Sequence, residues 1–118
     1  MPDALFVYGS LRSEFDNPFA RRLRAEADLL GRATVRGSIF LVGKFPAFKT
    51  EPDGIVHGEL WRLHDPSRTL AALDDYEGGE YPRMIVDLET PRTRAWIYVY
   101  PGDVRTRKRI ESGDFLAP

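Results

Sequence analysis

The chain has 118 residues, of which 42% are hydrophobic and 12% aromatic, enough for one hydrophobic core but not for a second. Its 18 acidic and 17 basic side chains leave a net charge of −1, which gives no sign of a nucleic-acid or membrane surface. The absence of cysteine excludes disulfides, thiolate nucleophiles and thiolate metal sites. We therefore expect a single domain over residues 1–118 that binds neither nucleic acid nor membranes.

The N-terminal residues lead directly into an apolar run, without a basic stretch or a long apolar segment before it. No apolar run approaches the roughly 20 residues that are needed to cross a bilayer. We expect a cytoplasmic protein that is a monomer or a weak homodimer.

The chain is predicted to open with a strand and a helix. The apolar run from Ala4 to Tyr8 ends at Gly9, a pattern typical of a buried strand that breaks into a turn. Asn17 can cap a helix, and Pro18 is tolerated at the first helical position. The helix is expected to run to about Asp28.

The middle of the chain is predicted to form two strands around a loop. Glycines at positions 31, 37 and 43 punctuate the apolar segment from Leu29 to Val42, which predicts a bent or bulged strand. Residues 44–54 contain two prolines and are predicted to form a loop. The segment from Ile55 to Leu63 is predicted to be the next strand.

The second half begins with the clearest helix signal in the sequence. Asp65 is a suitable cap, Pro66 stands at the first position, and Gly78–Gly79 is expected to stop the helix. Two last strands are predicted, from Met84 to Leu88 and from Ala95 to Tyr100. The tail carries a few apolar residues that are expected to tie it to the body: Ile110, Phe115 and Leu116.

These elements predict an α+β fold. Five or six strands with only two helices, not strictly alternating, argue against a doubly wound sheet. Because glycines bend the strands, we prefer a small, mixed and partly closed β-barrel with two flanking helices.

One carboxylate stands out at the end of the second helix. Leu70, Leu73 and Glu77 share one face of a helix with a 3.6-residue period, so Glu77 is expected to point to the core or to a cavity at its edge. Apolar burial, together with the like charges of Asp74 and Asp75, is expected to raise its pKa. The alternative is that Glu77 lies exposed in a frayed last turn.

A second candidate is the turn after the first strand. Gly9 can adopt a positive φ and let a ligand approach the backbone. The N–H groups of Ser10, Leu11 and Arg12 would then form a small anion-binding nest, to which Arg12 could add its charge. The alternative is an ordinary tight turn.

Read together, the two stretches resemble the gamma-glutamylcyclotransferase-like family, which includes gamma-glutamylamine cyclotransferase and the plant AIG2-like proteins. The resemblance spans nearly the whole chain and follows one order of motifs: FVYGSLR, FPAFKT, IVHGELWRL, LDDYEGGEYPRMIV and AWIYVY.

The resemblance implies a mixed barrel with a pocket between the glycine loop and the acidic helix end. Glu77 would be the catalytic acid/base. The loop that holds the substrate carboxylate would consist of Tyr8, Gly9, Ser10 and Leu11. Tyr81 and Arg83 would line or brace the pocket, and Tyr98 or Tyr100 would supply a late-strand hydroxyl.

The implied activity is cyclisation of a small γ-glutamyl amine or amino acid to 5-oxoproline, with release of the amine. We expect no cofactor and no metal, since His57 and His64 have no third ligand in view. The alternative is a non-catalytic protein that binds a small acidic metabolite in the same pocket. A third reading, a purely structural interaction domain, is disfavoured by the paired motifs.

One departure from the family concerns the four residues SEFD at positions 13–16, which separate the glycine loop from the helix. They leave the shape of the pocket mouth, and hence the leaving group, open. Outside the motifs, Glu59, Asp74 and Asp75 are expected to be structural or solvated.

Overall fold

The computed structural model describes residues 2–77 and 81–117. Within them the chain forms seven strands and two helices, in the order β1 (Ala4–Val7), α1 (Pro18–Glu26), β2 (Ala27–Arg36), β3 (Ser38–Val42), β4 (Phe45–Lys49), β5 (Ile55–Leu63), α2 (Pro66–Glu77), β6 (Arg83–Asp87) and β7 (Arg94–Tyr98).

Five of the strands form one mixed sheet, in the order β2-β5-β1-β7-β6. The central strand β1 is antiparallel to β5 and parallel to β7, and its four residues are all buried. Alternate side chains of a strand point to opposite faces, so Phe6 and Leu5 belong to two different core clusters. Helix residues such as Leu23 and Leu70 pack on the Leu5 face, whereas Ile39 and Phe48 of the β3–β4 pair pack on the Phe6 face.

The two edge strands of the sheet, β2 and β6, do not pair with each other along their length. Backbone hydrogen bonds nevertheless join β2 to the residues that follow β6. The Thr34 N–H, on edge strand β2, donates to the Thr90 carbonyl at 2.7 Å, and the Glu89 N–H donates back to the Thr34 carbonyl at 2.9 Å. Both partners lie just beyond the other edge strand, β6. The α+β class, with two helices beside a mixed sheet of five strands, is confirmed, and the sheet is not closed into a barrel.

The middle of the chain differs from its prediction. The expected single strand from Leu29 to Val42 is divided at Gly37 into β2 and β3, which lie in different sheets. A side chain at Gly37 has no room, since a Cβ there would lie 2.7 Å from the Lys49 carbonyl oxygen. The predicted loop over 44–54 is wrong in its first half, where β4 pairs with β3 through a turn at Gly43, whose φ is +63°.

The helix boundaries follow the capping signals. Asn17 accepts hydrogen bonds from the N–H groups of Phe19 and Ala20, at 3.1 and 2.9 Å. Helix α1 ends at Glu26 instead of Asp28, because the chain passes directly into β2. At the start of α2 the Asp65 carboxylate accepts from the Arg68 N–H at 3.4 Å. The expected helix stop at Gly78–Gly79 lies outside the described residues.

The C-terminal tail returns to the body largely as expected. Ile110 is 5% exposed and joins the core, and Phe115 packs against it. Leu116 departs from the expectation, since it is 40% exposed. No helix in the described part of the chain is long and apolar enough to cross a membrane.

Candidate active site

A cavity of about 190 Å³ opens where β1 leaves the sheet. It is small beside the roughly 300–1,000 Å³ of pockets that hold drug-sized ligands, which favours a small metabolite. Its walls are the end of β1 with the turn after it, the start of β4, and the end of α2. Tyr81, just before β6, and Tyr98, at the end of β7, complete them. Its lining consists of Phe6, Val7, Tyr8, Gly9, Ser10, Leu11, Phe45, Pro46, Tyr76, Glu77, Tyr81 and Tyr98.

Helix α2 aims Glu77 into this cavity. Leu73 and Leu70 lie one and two turns before it and are 0% and 1% exposed, so the face they share is the buried one. Glu77 is half-buried and lies in the same cavity as Gly9, Ser10 and Leu11. The two stretches that the sequence analysis paired therefore meet in space.

Burial raises the pKa of Glu77 from 4.5 to about 7. The expected contribution from the neighbouring acids is not a cause. The Asp74 carboxylate is paired with other residues. It accepts hydrogen bonds from the Arg83 Nε–H at 2.9 Å and from the Tyr98 hydroxyl at 2.7 Å. A carboxyl with a pKa near neutrality can both take up and release a proton.

Tyr8 lines the same cavity as this carboxyl and carries no charge. Burial first, and then the charge of Glu77, raises the pKa of Tyr8 well above its ordinary value. Its hydroxyl donates to the Tyr98 carbonyl at 2.6 Å. Tyr8 therefore stays protonated and fixes the end of β1 against β7.

The turn after β1 differs from the expected nest in two respects. Gly9 does not have a positive φ, and the Arg12 N–H closes the turn by donating to the Gly9 carbonyl at 3.0 Å. Among residues 2–77 and 81–117, the Ser10 and Leu11 N–H groups donate to no protein acceptor. Two backbone donors, not three, are available to an anion here.

Space, not φ, explains why position 9 is a glycine. A Cβ at Gly9 would lie 2.9 Å from Pro46 Cγ and 3.3 Å from its Cδ. The absence of a side chain thus lets the turn pack against β4 at the edge of the cavity.

We expect Gly9→Ala to raise KM about tenfold with a smaller change in kcat, because the turn must shift and its donors lose their alignment. Steady-state kinetics with a substrate of the protein would measure this. A Gly9→Ala/Pro46→Ala double variant restores the room and should recover part of the loss. Equal KM values for wild type and Gly9→Ala would contradict this role of the turn.

Arg12 does not add its charge to the cavity, contrary to the expectation. Its side chain is 2% exposed and forms ion pairs with Glu14 at 3.1 Å and with Asp114 of the C-terminal tail at 2.8 Å. These partners turn the guanidinium away from the cavity lining. Arg12 therefore anchors the turn to the C-terminal tail, on the side away from the cavity.

Arg83 and Tyr100 also lie outside the lining. Arg83 borders a neighbouring groove and lies over the Trp96 ring, 4.3 Å from its centroid, while its Nε holds Asp74. The Tyr100 ring packs against Tyr81 with a centroid distance of 5.6 Å. These residues brace the wall that Tyr81 and Tyr98 present to the cavity.

The sequence analysis missed five lining residues: Phe6, Val7, Phe45, Pro46 and Tyr76. Tyr76 was detectable as the neighbour of Glu77, and its hydroxyl lies 2.9 Å from Ser10 Oγ. Its ring stacks on Phe19, with a centroid distance of 4.2 Å. Phe45 and Pro46 were assigned to a loop, so their strand pairing and position were not foreseen.

The SEFD stretch does not line the cavity. Glu59, on β5, accepts hydrogen bonds from the Ser13 N–H at 2.7 Å and from the Ser13 hydroxyl. Phe15 stacks on Phe115 of the tail, with a centroid distance of 6.2 Å. Glu59 is therefore structural, and it holds this stretch behind the turn.

Among the described residues that line the cavity, Glu77 is the only Asp, Glu, Lys, Arg or His side chain. Within residues 2–77 and 81–117, no group of three His, Asp or Glu side chains is placed to hold a metal ion. The chemistry available to the described residues is thus proton transfer by one carboxyl beside backbone and hydroxyl donors.

The chain matches known proteins over nearly all of its length. The sequence model of the family described as "Gamma-glutamyl cyclotransferase, AIG2-like" matches residues 5–117. The protein named "Gamma-glutamylcyclotransferase family protein YtfP" of Escherichia coli (strain K12) is 39% identical over 115 residues, 95% of each chain. The solution NMR structure of ytfP from Escherichia coli has a TM-score of 0.74 at 38% identity, covering 97% of this chain and 96% of that one. The crystal structure of the uncharacterized protein PH0828 from Pyrococcus horikoshii has a TM-score of 0.77 at 26% identity, with 95% and 88% covered.

Proposed function

Because this chain belongs to the gamma-glutamyl cyclotransferase, AIG2-like family, we propose that it cyclises a small γ-glutamyl amine or amino acid to 5-oxoproline and releases the amine. The observation that carries the proposal is Glu77, whose pKa burial raises to about 7, in one small cavity with the turn after β1. Membership makes the chain an enzyme of the gamma-glutamylcyclotransferase type. The product and the role of Glu77 are the proposal.

The reaction uses the nucleophile of the substrate itself. The α-ammonium group gives a proton to ionised Glu77, and the free amine then attacks the γ-carbonyl carbon. A bond forms between the α-nitrogen and that carbon, and the bond from the carbon to the leaving nitrogen breaks. Of the three protons on the α-ammonium group, one stays on the ring nitrogen and two end on the released amine. No other reactant is consumed.

The cavity supports this chemistry by holding the substrate folded. The Ser10 and Leu11 N–H groups bind the α-carboxylate, which places the α-nitrogen beside Glu77. A γ-glutamyl chain in an enclosed cavity must bend, and this brings its amine towards its own γ-carbonyl. The entropy of ring closure is then lost on binding instead of in the chemical step.

A substrate panel tests the proposal. The protein is incubated with γ-glutamyl amines and γ-glutamyl amino acids, and 5-oxoproline, glutamate and the free amine are measured. We expect 5-oxoproline and amine in equal amounts. Release of glutamate would indicate hydrolysis instead, and tight binding without any product would favour a non-catalytic metabolite-binding protein.

The pH dependence provides a separate check. Glu77 must be ionised to accept the proton, so kcat/KM should rise with pH along a limb centred near 7 and then level off, since it reports the free enzyme. A pH–rate profile between about pH 3.5 and pH 8.5 would measure this limb. A limb centred near 4.5, the ordinary pKa of a glutamate, would contradict the assigned base.

A further inference from the structure

The mouth of the cavity carries an aromatic side chain that the proposed mechanism does not use. Phe6 and Tyr8 form the buried end of the lining and are 1% and 6% exposed, whereas Phe45 is 49% exposed. This gradient of exposure orients the cavity, with the buried end beside β1 and Phe45 at the opening. What distinguishes Phe45 from other exposed apolar residues is that it borders the cavity, where an aromatic ring can pack against the part of a ligand nearest the opening.

Strand pairing fixes Phe45 at this opening. Phe45 is the first residue of β4 and pairs with Val42 across the turn from β3. The next residue, Pro46, is buried and packs against Gly9. The backbone at Phe45 is therefore held next to the turn that binds the substrate carboxylate.

The charges of the lining restrict what can bind at the mouth. No Lys or Arg side chain is among the described residues of the lining, and Lys49 instead lies over the Tyr100 ring, 5.6 Å from its centroid. The Ser10 and Leu11 N–H groups serve the α-carboxylate of the glutamyl part. A second carboxylate, such as that of a released amino acid, would lose water here without gaining a cation.

We propose that Phe45 is a specificity-determining residue whose ring packs against an apolar, uncharged leaving group. The inference rests on the proposed cyclisation and names the class of amine that it releases. The glutamyl part occupies the buried end beside Glu77, and the amine extends past Phe45 to the opening. Apolar γ-glutamyl amines are then better substrates than γ-glutamyl amino acids.

Three synthetic substrates test this inference. The phenethylamide and the phenylalanine conjugate of γ-glutamate differ only in one carboxylate, and the methylamide lacks the aromatic group. We expect kcat/KM for the phenethylamide to exceed that for each of the other two by about tenfold or more. Turnover of the phenylalanine conjugate at the same rate or faster would overturn the inference.

Substitutions at Phe45 then test whether this residue causes the preference for the phenethylamide. In Phe45→Ala the ratio of kcat/KM between phenethylamide and methylamide should fall about tenfold, whereas Phe45→Leu should keep part of it. Leu30→Ala is the matched control, since Leu30 is 52% exposed and lies outside the lining. An unchanged ratio in Phe45→Ala would overturn the role of this residue. Absence of 5-oxoproline from all three substrates would instead refute the cyclisation itself.

Discussion

A Glu77→Gln variant is expected to lose activity and to gain stability above neutral pH. Removal of a general base that takes the substrate proton should lower kcat/KM by at least about a hundredfold. At about pH 8 the same change should raise the free energy of unfolding, because glutamine removes a charge that the apolar cavity disfavours. The difference between a pKa of about 7 and the ordinary 4.5 corresponds to about 3 kcal/mol at 1.36 kcal/mol per pKa unit.

The gain should depend on pH in one direction. The folded-state pKa of Glu77 is raised, so its protonated form stabilises the wild type fully below pH 4.5, and this stabilisation is lost as the pH rises to about 7. Urea unfolding at about pH 5 and pH 8 should therefore show a small difference between variant and wild type at the lower pH and a large one at the higher.

Asp75→Asn is the matched control for Glu77→Gln, since Asp75 is exposed on the same helix. It should change neither turnover nor the pH dependence of stability appreciably. A Glu77→Gln protein that is no more stable than the wild type at pH 8 would contradict the raised pKa of the half-buried carboxyl. Retained turnover in that protein would contradict its catalytic role.

Arg12→Ala is expected to be the most destabilising change near the site. The variant loses the packing of a side chain that is 2% exposed and leaves Asp114, whose side chain is 20% exposed, without its cation. Breaking a buried ion pair costs about 3–5 kcal/mol. Because Glu14 and Asp114, the two partners of Arg12, are partly exposed, the expected loss is about 2–4 kcal/mol. Chemical denaturation at neutral pH would measure it.

The surface pair of Arg21 and Asp16 provides the control. Their side chains are 56% and 75% exposed, so Arg21→Ala should cost no more than about 0.5 kcal/mol. Because the Arg12 side chain also anchors the turn after β1 to the C-terminal tail, Arg12→Ala should raise KM as well. A loss as small as that of Arg21→Ala would contradict the anchoring role of Arg12.

Local periodicity and capping were sufficient to predict the parts of the molecule that depend on neighbouring residues. The spacing of Leu70, Leu73 and Glu77 placed the carboxyl on the buried face, because the α-helical period alone decides this. Asn17 and Asp65 located the helix starts, because a capping side chain binds N–H groups only two or three residues further along the chain. The strand from Ile55 to Leu63 was also correct.

Contacts between distant residues could not be predicted in this way. Arg12 and Asp114 are 102 positions apart, and nothing in the local sequence pairs them. The same limit applies to Phe45, whose place at the cavity mouth depends on pairing between β3 and β4. At Gly9 the residue type was informative but its reason was wrong, since the packing of Pro46, not a positive φ, requires it.

The central claim is that Glu77 drives an intramolecular cyclisation. The most direct test is a product assay on the γ-glutamyl phenethylamide at about pH 8, with wild type, Asp75→Asn and Glu77→Gln proteins side by side. We predict equal amounts of 5-oxoproline and phenethylamine from the first two proteins and almost none from the third. Glutamate as the product, or undiminished 5-oxoproline from Glu77→Gln, would contradict the claim.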